Sequence, residues 1–165
     1  MKTYYLQGMG RNPPQEVVDT VANFWKAYAK VEVKTPPMPQ IYIATKQYLY
    51  DWIYALYLEN WQMHPDKLLN VIIVIPPHCL GDFRTQLDAK GFKGYGIAVI
   101  EEQNILNTTK FLATHEFGHL LGLLRNGQGD HWFWPINCIM SWLPSFLVPL
   151  RWRRICKGCR MKLGG

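Results

Sequence analysis

Residues 115–122 read His-Glu-Phe-Gly-His-Leu-Leu-Gly and place two histidines four residues apart, with a glutamate directly after the first. On an α-helix, positions i and i+4 lie on the same face, so both imidazoles can reach one metal ion while the glutamate lies beside a water on that ion. Neutral imidazole is a good zinc ligand. This HExxH motif therefore predicts a helix that holds a catalytic zinc ion through His115 and His119.

Glu116 is the candidate general base of this site. A catalytic zinc ion usually has three protein ligands and a bound water whose pKa falls to near neutrality. The carboxylate would take a proton as this water attacks a carbonyl carbon, and would then deliver it to the leaving amine. The motif thus predicts a zinc hydrolase; the alternative is a helix in which the two histidines bind no metal.

The third zinc ligand does not follow from the HExxH motif itself. Three positions after Gly122, where an extended form of the motif has another histidine, this chain has Arg125, and a guanidinium stays protonated and cannot coordinate zinc. The glycine-rich segment that follows ends in Asp130 and His131. We expect His131 to be the third ligand, with Asp130 as the alternative, and Arg125 to cap the C-terminal end of the helix.

The cysteines predict a second metal site. Three of the four, Cys138, Cys156 and Cys159, follow the HExxH helix, and the Cys-x-x-Cys spacing is typical of structural zinc sites. In a reducing compartment such thiols are metal ligands more often than disulfides. Cys79 stands apart and is expected to be a buried small side chain.

The remaining pattern alternates short strands with helices. Strands are expected at residues 4–6, 41–43, 71–75 and 97–100, and helices at residues 17–28 and 46–61. The β-branched run at 71–75 predicts a central strand. We therefore expect an α/β (α+β) fold in one domain, with an α/β half over residues 1–124 and a C-terminal subdomain over residues 125–165.

The HExxH helix is expected to be capped by Asn107 or Thr108 and to have two unlike faces. Its apolar face, which includes Phe111 and Phe117, should pack on the sheet. The face that carries His115 and His119 should line a cleft.

The chain has a formal net charge of +6 and a pI near 9.2. Much of the excess lies in one C-terminal run that consists of Arg151, Arg153, Arg154, Lys157, Arg160 and Lys162. Such a run is usually a solvated face, and contact with nucleic acid is the alternative.

Residues 132–150 are mostly apolar, but Pro135, Pro144 and Pro149 interrupt any continuous helix, so no membrane span is expected. The first residues contain no apolar segment of signal-peptide length. The expected location is therefore cytoplasmic.

The second half of the chain resembles the archaemetzincins, a family of the metzincin clan of zinc metallopeptidases. The resemblance rests on the HExxHxxG stretch, on Cys138-Ile139-Met140 as a CxM motif, and on the CxxC of Cys156 and Cys159. It implies a metzincin-like twisted mixed sheet with helices, an active-site helix and a small C-terminal zinc-binding subdomain. It also implies a peptidase that acts on peptides or proteins with one catalytic and one structural zinc ion.

By the same resemblance, Met140 is the methionine of the Met-turn beneath the zinc histidines, and Gly122 ends the active-site helix. Cys138, Cys156 and Cys159 match a structural site that normally has four cysteines. The fourth ligand would be His131, in place of its role at the catalytic zinc, or Cys79; otherwise the site would be three-coordinate or empty.

Two other functions stay open. Arg125 at the third ligand position leaves a catalytically impaired relative that binds peptide or protein as an alternative. The basic C-terminal run leaves a nucleic-acid-binding zinc module as a further one.

Overall fold

The structure is a computed structural model that describes residues 1–8, 12–35, 71–75, 97–123, 137–141 and 148–164. Within these ranges the fold is mixed α/β, so the expected class is confirmed. The elements are β1 (Lys2–Gly8), α1 (Gln15–Trp25), β2 (Val31–Lys34), β3 (Val71–Ile75), β4 (Ile97–Glu101), α2 (Leu106–Leu120), a 3₁₀ turn (Leu150–Trp152) and α3 (Lys157–Lys162). The strand expected at 41–43 and the helix expected at 46–61 lie outside the described residues.

The described strands form one sheet in the order β2-β1-β3-β4, and every neighbouring pair is parallel. The prediction that residues 71–75 form a central strand is confirmed, because β3 lies between β1 and β4. Leu6, Ile72 and Ala98 are register partners and are all buried, so they form one row of the sheet's covered face. No antiparallel strand occurs among the described strands, and the mixed, metzincin-like sheet stays a prediction.

Helix α1 begins directly after Pro14, whose fixed φ suits a helix start. Val17, Val18, Val21 and Trp25 form its buried face. The Trp25 indole Nε1–H donates to the backbone carbonyl of Thr114 in α2 at 3.0 Å. This bond and the apolar contacts fix the two helices against each other, while α2 also packs on β3 and β4.

The start of α2 differs from the expectation. The helix begins at Leu106 after Ile105, with no side-chain cap, so the prediction that Asn107 or Thr108 caps it is wrong. The hydroxyl of Thr109, one turn in, accepts the backbone N–H of Gln103 at 2.8 Å and ties the helix to the preceding chain.

The expected cleft-facing side of α2 is also wrong for its second half. Every residue from 113 to 120 is buried. One flank is covered by Trp25 of α1, and another is covered by residues 139 and 140 of a C-terminal turn. The histidines therefore lie inside the molecule.

The described parts of both halves contribute to one hydrophobic core. Tyr4, Phe117, Met140, Ile155 and Cys159 belong to the same buried cluster. Among the described residues, no helix is both long enough and apolar enough to cross a membrane.

Candidate metal centres

The residues of the HExxH motif lie together at the buried end of α2. The His115 and His119 ring centroids are 5.0 Å apart, with the ring planes at 81°. One ligand atom each from His115, Glu116 and His119 lies within 4.8 Å of the others, and the three residues are 0%, 1% and 8% exposed. This group, the histidine site, has nitrogen and oxygen donors close enough together to hold a metal ion.

Both histidines are fixed in the tautomer that metal binding needs. Nδ1 of His115 donates to the backbone carbonyl of Ile139, and Nδ1 of His119 donates to that of Leu123, each at 2.9 Å. A carbonyl oxygen can only accept, so each Nδ1 carries a proton; in the neutral form of each ring the lone pair is then on Nε2, the atom that can bind a metal. Such carbonyl contacts are the usual outer support of zinc histidines.

The carbonyl that orients His119 is placed by the turn that ends α2. Gly122 has φ +99, and its N–H bonds to the His119 carbonyl while the Leu123 N–H bonds to the Gly118 carbonyl, both at 3.0 Å. These two bonds form a Schellman motif, in which a positive φ favours glycine. Gly122 thus reverses the chain so that the Leu123 carbonyl meets the His119 ring.

A buried turn at residues 138–141 supports the other histidine. Ile139 supplies the carbonyl to His115, and the neighbouring Met140 packs its sulfur against Gly118 of α2. A Cβ added to Gly118 would collide with the Met140 sulfur and lie 3.1 Å from the Trp25 ring. Met140 therefore contacts the histidine helix at a position where a glycine leaves room for its sulfur.

The three described cysteines form a second group, the thiol site. The sulfurs of Cys138, Cys156 and Cys159 all lie within 4.8 Å of one another, and those of Cys138 and Cys159 are 3.8 Å apart. All three are free thiols. A tetrahedral zinc ion with Zn–S bonds of about 2.3 Å separates two thiolates by about 3.8 Å. The spacing therefore fits a zinc–thiolate site.

The hydrogen bond between Cys138 and Cys159 shifts the pKa values of the two thiols in opposite directions. The hydrogen bond with Cys159 lowers the pKa of Cys138 to about 5, against the opposing effect of burial. The same bond, reinforced by burial, raises the pKa of Cys159. The lowered pKa favours the thiolate form of Cys138, and a thiolate is the form that binds a metal.

Arg153 contradicts the expectation that the C-terminal basic run is wholly solvated. It is fully buried, whereas Arg151, Arg154, Lys157, Arg160 and Lys162 are exposed. Its Nη1 donates to the carbonyls of Cys138 and Ser141 at 3.3 and 3.1 Å, and its Nε donates to that of Val148 at 3.1 Å.

The charge of Arg153 persists inside the protein. Burial lowers its pKa to about 10, so it is still protonated at neutral pH. The guanidinium lies 4.3 Å from the centroid of the Phe111 ring, one turn before His115. Arg153 therefore clamps the 138–141 turn to α2. Nothing local in the sequence distinguishes it from its arginine neighbours.

Three consecutive residues connect the thiol site to the histidine site. The Cys138 sulfur belongs to the thiol site, the Ile139 carbonyl holds His115, and the Met140 side chain packs under the helix. Arg125, Asp130, His131 and Cys79 lie outside the described residues, so the third and fourth ligands stay predictions. The structure thus brings His115, Glu116 and His119 together, and separately Cys138, Cys156 and Cys159.

Comparison of the chain with protein-family models, with curated proteins and with solved structures gives no match. The case for a function therefore rests on the chemistry of these two groups.

Proposed function

We propose that the chain is a zinc metallopeptidase of the metzincin type. The histidine site would hold the catalytic zinc ion through His115, His119 and a third ligand, His131 or Asp130. The observation that carries this proposal is that both motif histidines donate Nδ1–H to backbone carbonyls, within a buried group that also contains Glu116. Histidines that bind no metal would have no need of two separate backbone segments that fix both rings in the same tautomer.

Bound zinc would supply a Lewis acid that polarises a water molecule and the scissile carbonyl group. Glu116, beside His115 and 1% exposed, would take a proton from the attacking water and return it to the amide nitrogen as the C–N bond breaks. Ile139 and Leu123 keep the histidine rings oriented throughout. The extended substrate would align on a sheet edge by strand addition.

We further propose that the thiol site holds a structural zinc ion. The 3.8 Å distance between the Cys138 and Cys159 sulfurs supports this assignment. Arg153 offsets part of the negative charge that three thiolates would bring, because its guanidinium reaches the Cys138 carbonyl. The role of this ion would be to fix α3 against the 138–141 turn.

Metal content and peptidase activity of Glu116→Gln test the catalytic proposal. The variant should keep its zinc and lose at least about a hundredfold in kcat, since it lacks the base but not the histidines. Glu32→Gln, the same chemical change on β2, is the matched control and should keep full activity. Activity that survives Glu116→Gln would refute the peptidase proposal.

A second candidate is an impaired relative that binds peptide without cleaving it. Arg125 at the usual place of the third ligand favours it. It predicts that the wild type captures peptides but shows no turnover, and that the histidine site retains less than one zinc ion per chain after dialysis. Tight zinc binding with turnover excludes it.

A further inference from the structure

A cavity of about 690 Å³ lies between α1, the first turns of α2 and residues 149–154. None of its described lining residues belongs to the histidine site or the thiol site. The metallopeptidase proposal therefore leaves it unexplained.

The cavity has a strongly positive lining. Lys110, Arg151, Arg153 and Arg154 all contribute to it, and its described lining residues include no carboxylate. Outside the lining, the Glu16 carboxylate pairs with the Lys110 ammonium at 3.3 Å, and the Glu16 side chain is 68% exposed. Because four cations and, among the described residues, no carboxylate line this concave surface, it should attract anions.

Two of the three lining arginines, Arg153 and Arg154, are held in place before any ligand arrives. The Arg154 guanidinium donates to the carbonyls of Arg151 and Arg153 at 3.1 and 2.7 Å, and Arg153 is anchored by three other carbonyls. Fixing these side chains in advance lowers the entropy lost on binding. Planar guanidinium groups also match the oxygen geometry of phosphate.

The rest of the lining indicates an organic ligand and not a bare ion. Phe24 and Leu150 supply apolar surface, and Asn23 and Asn107 supply amide groups. The volume falls in the range of small-molecule sites, roughly 300–1,000 Å³. A long polyanion would instead be expected to follow an extended basic groove.

From these features we propose that the cavity binds a small organic phosphate. The phosphate groups would contact Arg151, Arg154 and Lys110, while the organic part packs against Phe24 and Leu150. This site is independent of the proposed peptidase activity.

Calorimetric titration of the full chain with ATP, tripolyphosphate and adenosine tests this proposal. The wild type should bind ATP more tightly than tripolyphosphate, and adenosine alone should not bind. Arg151→Glu/Arg154→Glu should weaken ATP binding by at least about tenfold, because each lost guanidinium–phosphate contact is worth about a factor of ten. Lys110→Gln, on a different element, should weaken it in the same direction.

The matched control is Lys157→Glu/Lys162→Glu, which makes the same change in net charge on exposed residues of α3 that do not line the cavity. It should change ATP binding by less than about twofold, since only screened, long-range attraction is lost. Equal weakening in both double variants would overturn the proposal in favour of non-specific attraction. So would absence of ATP binding at millimolar concentration, or tighter binding of a mixed-sequence single-stranded oligonucleotide than of ATP.

Discussion

Gly118 and Gly122 are required for different physical reasons. At Gly118 a side chain would collide with the Met140 sulfur, so the constraint is space. At Gly122 no heavy atom of the described residues outside the adjoining chain lies within 4 Å of the added carbon, but φ is +99, so the constraint is the backbone. One glycine admits the supporting methionine, and the other shapes the turn that orients His119.

Gly118→Ala should destabilise the protein by about 1–3 kcal/mol, because packing around Met140 and Trp25 has to shift. The alanine's better helix propensity, about 1 kcal/mol, offsets only part of this loss. Urea denaturation of the metal-free protein measures the change. Gly158→Ala in α3 is the control, since among the described residues its added carbon meets only the Cys156 sulfur at 4.0 Å, and it should be neutral or stabilising. Equal effects at the two positions would contradict the steric explanation.

Residue roles were predictable where the chemistry lies in a local pattern. The HExxH spacing and the CxxC spacing each predict side chains that the structure does bring together. The role of Arg153 was not predictable, because Arg151 and Arg154 on either side have the same chemistry and are exposed. Which of the three is buried depends on the carbonyls of residues 138, 141 and 148, which only the fold brings near.

Among the elements, those with strong hydrophobic patterns were predictable. The strands at 71–75 and 97–100 and the helix that begins after Pro14 are present as expected. Strand β2 was missed, because Val31-Glu32-Val33-Lys34 is only four residues long and none of them is buried. It forms because it pairs with β1 at the edge of the described sheet. This pairing joins residues far apart in the sequence, so the local pattern does not reveal it.

Because the 138–141 turn contributes to both groups, we expect metal binding at the thiol site to affect metal binding at the histidine site. Metal bound at the thiol site would hold Cys138 and therefore fix the Ile139 carbonyl that orients His115. Losing such an outer support typically costs about 10–100-fold in metal affinity. We therefore expect the histidine site to bind cobalt at least about tenfold more tightly when the thiol site is filled with cadmium, which prefers thiolates.

Cobalt absorption in the presence and absence of cadmium measures this coupling. Cys156→Ser/Cys159→Ser removes the thiol site and should abolish the effect of cadmium. A cobalt affinity that does not respond to cadmium in the wild type would show that the turn is rigid without metal. A histidine site that binds no cobalt in either state would instead contradict the proposed function.

At the scale of the whole molecule, the core joins the first strand to the last helix. The ring of Tyr4 in β1 contacts the ring of Phe117, with 4.7 Å between the centroids. Cys159 of α3 belongs to the same buried cluster. The described C-terminal residues thus complete a core that begins at the N-terminus. Domain organisation over the full 165 residues stays a prediction.

Removing the metal should therefore lower the thermal midpoint of the whole molecule in one transition. Tryptophan fluorescence and far-ultraviolet circular dichroism should give the same midpoint before and after chelation. The Cys156→Ser/Cys159→Ser variant should show a smaller decrease on chelation, because only the histidine site remains. Two separate transitions would mean that the C-terminal segment unfolds independently.

Cys138, Ile139 and Met140 contribute different chemical groups, and this difference determines which substitutions the segment should tolerate. Cys138 and Met140 contribute through their side chains, but Ile139 contributes its carbonyl oxygen, which every residue has. The middle position should therefore accept other buried aliphatic residues. Inserting or deleting a single residue would displace the Cys138 sulfur, the Ile139 carbonyl and the Met140 thioether relative to one another. The number of residues in this segment is therefore more strictly constrained than the identity of its middle residue.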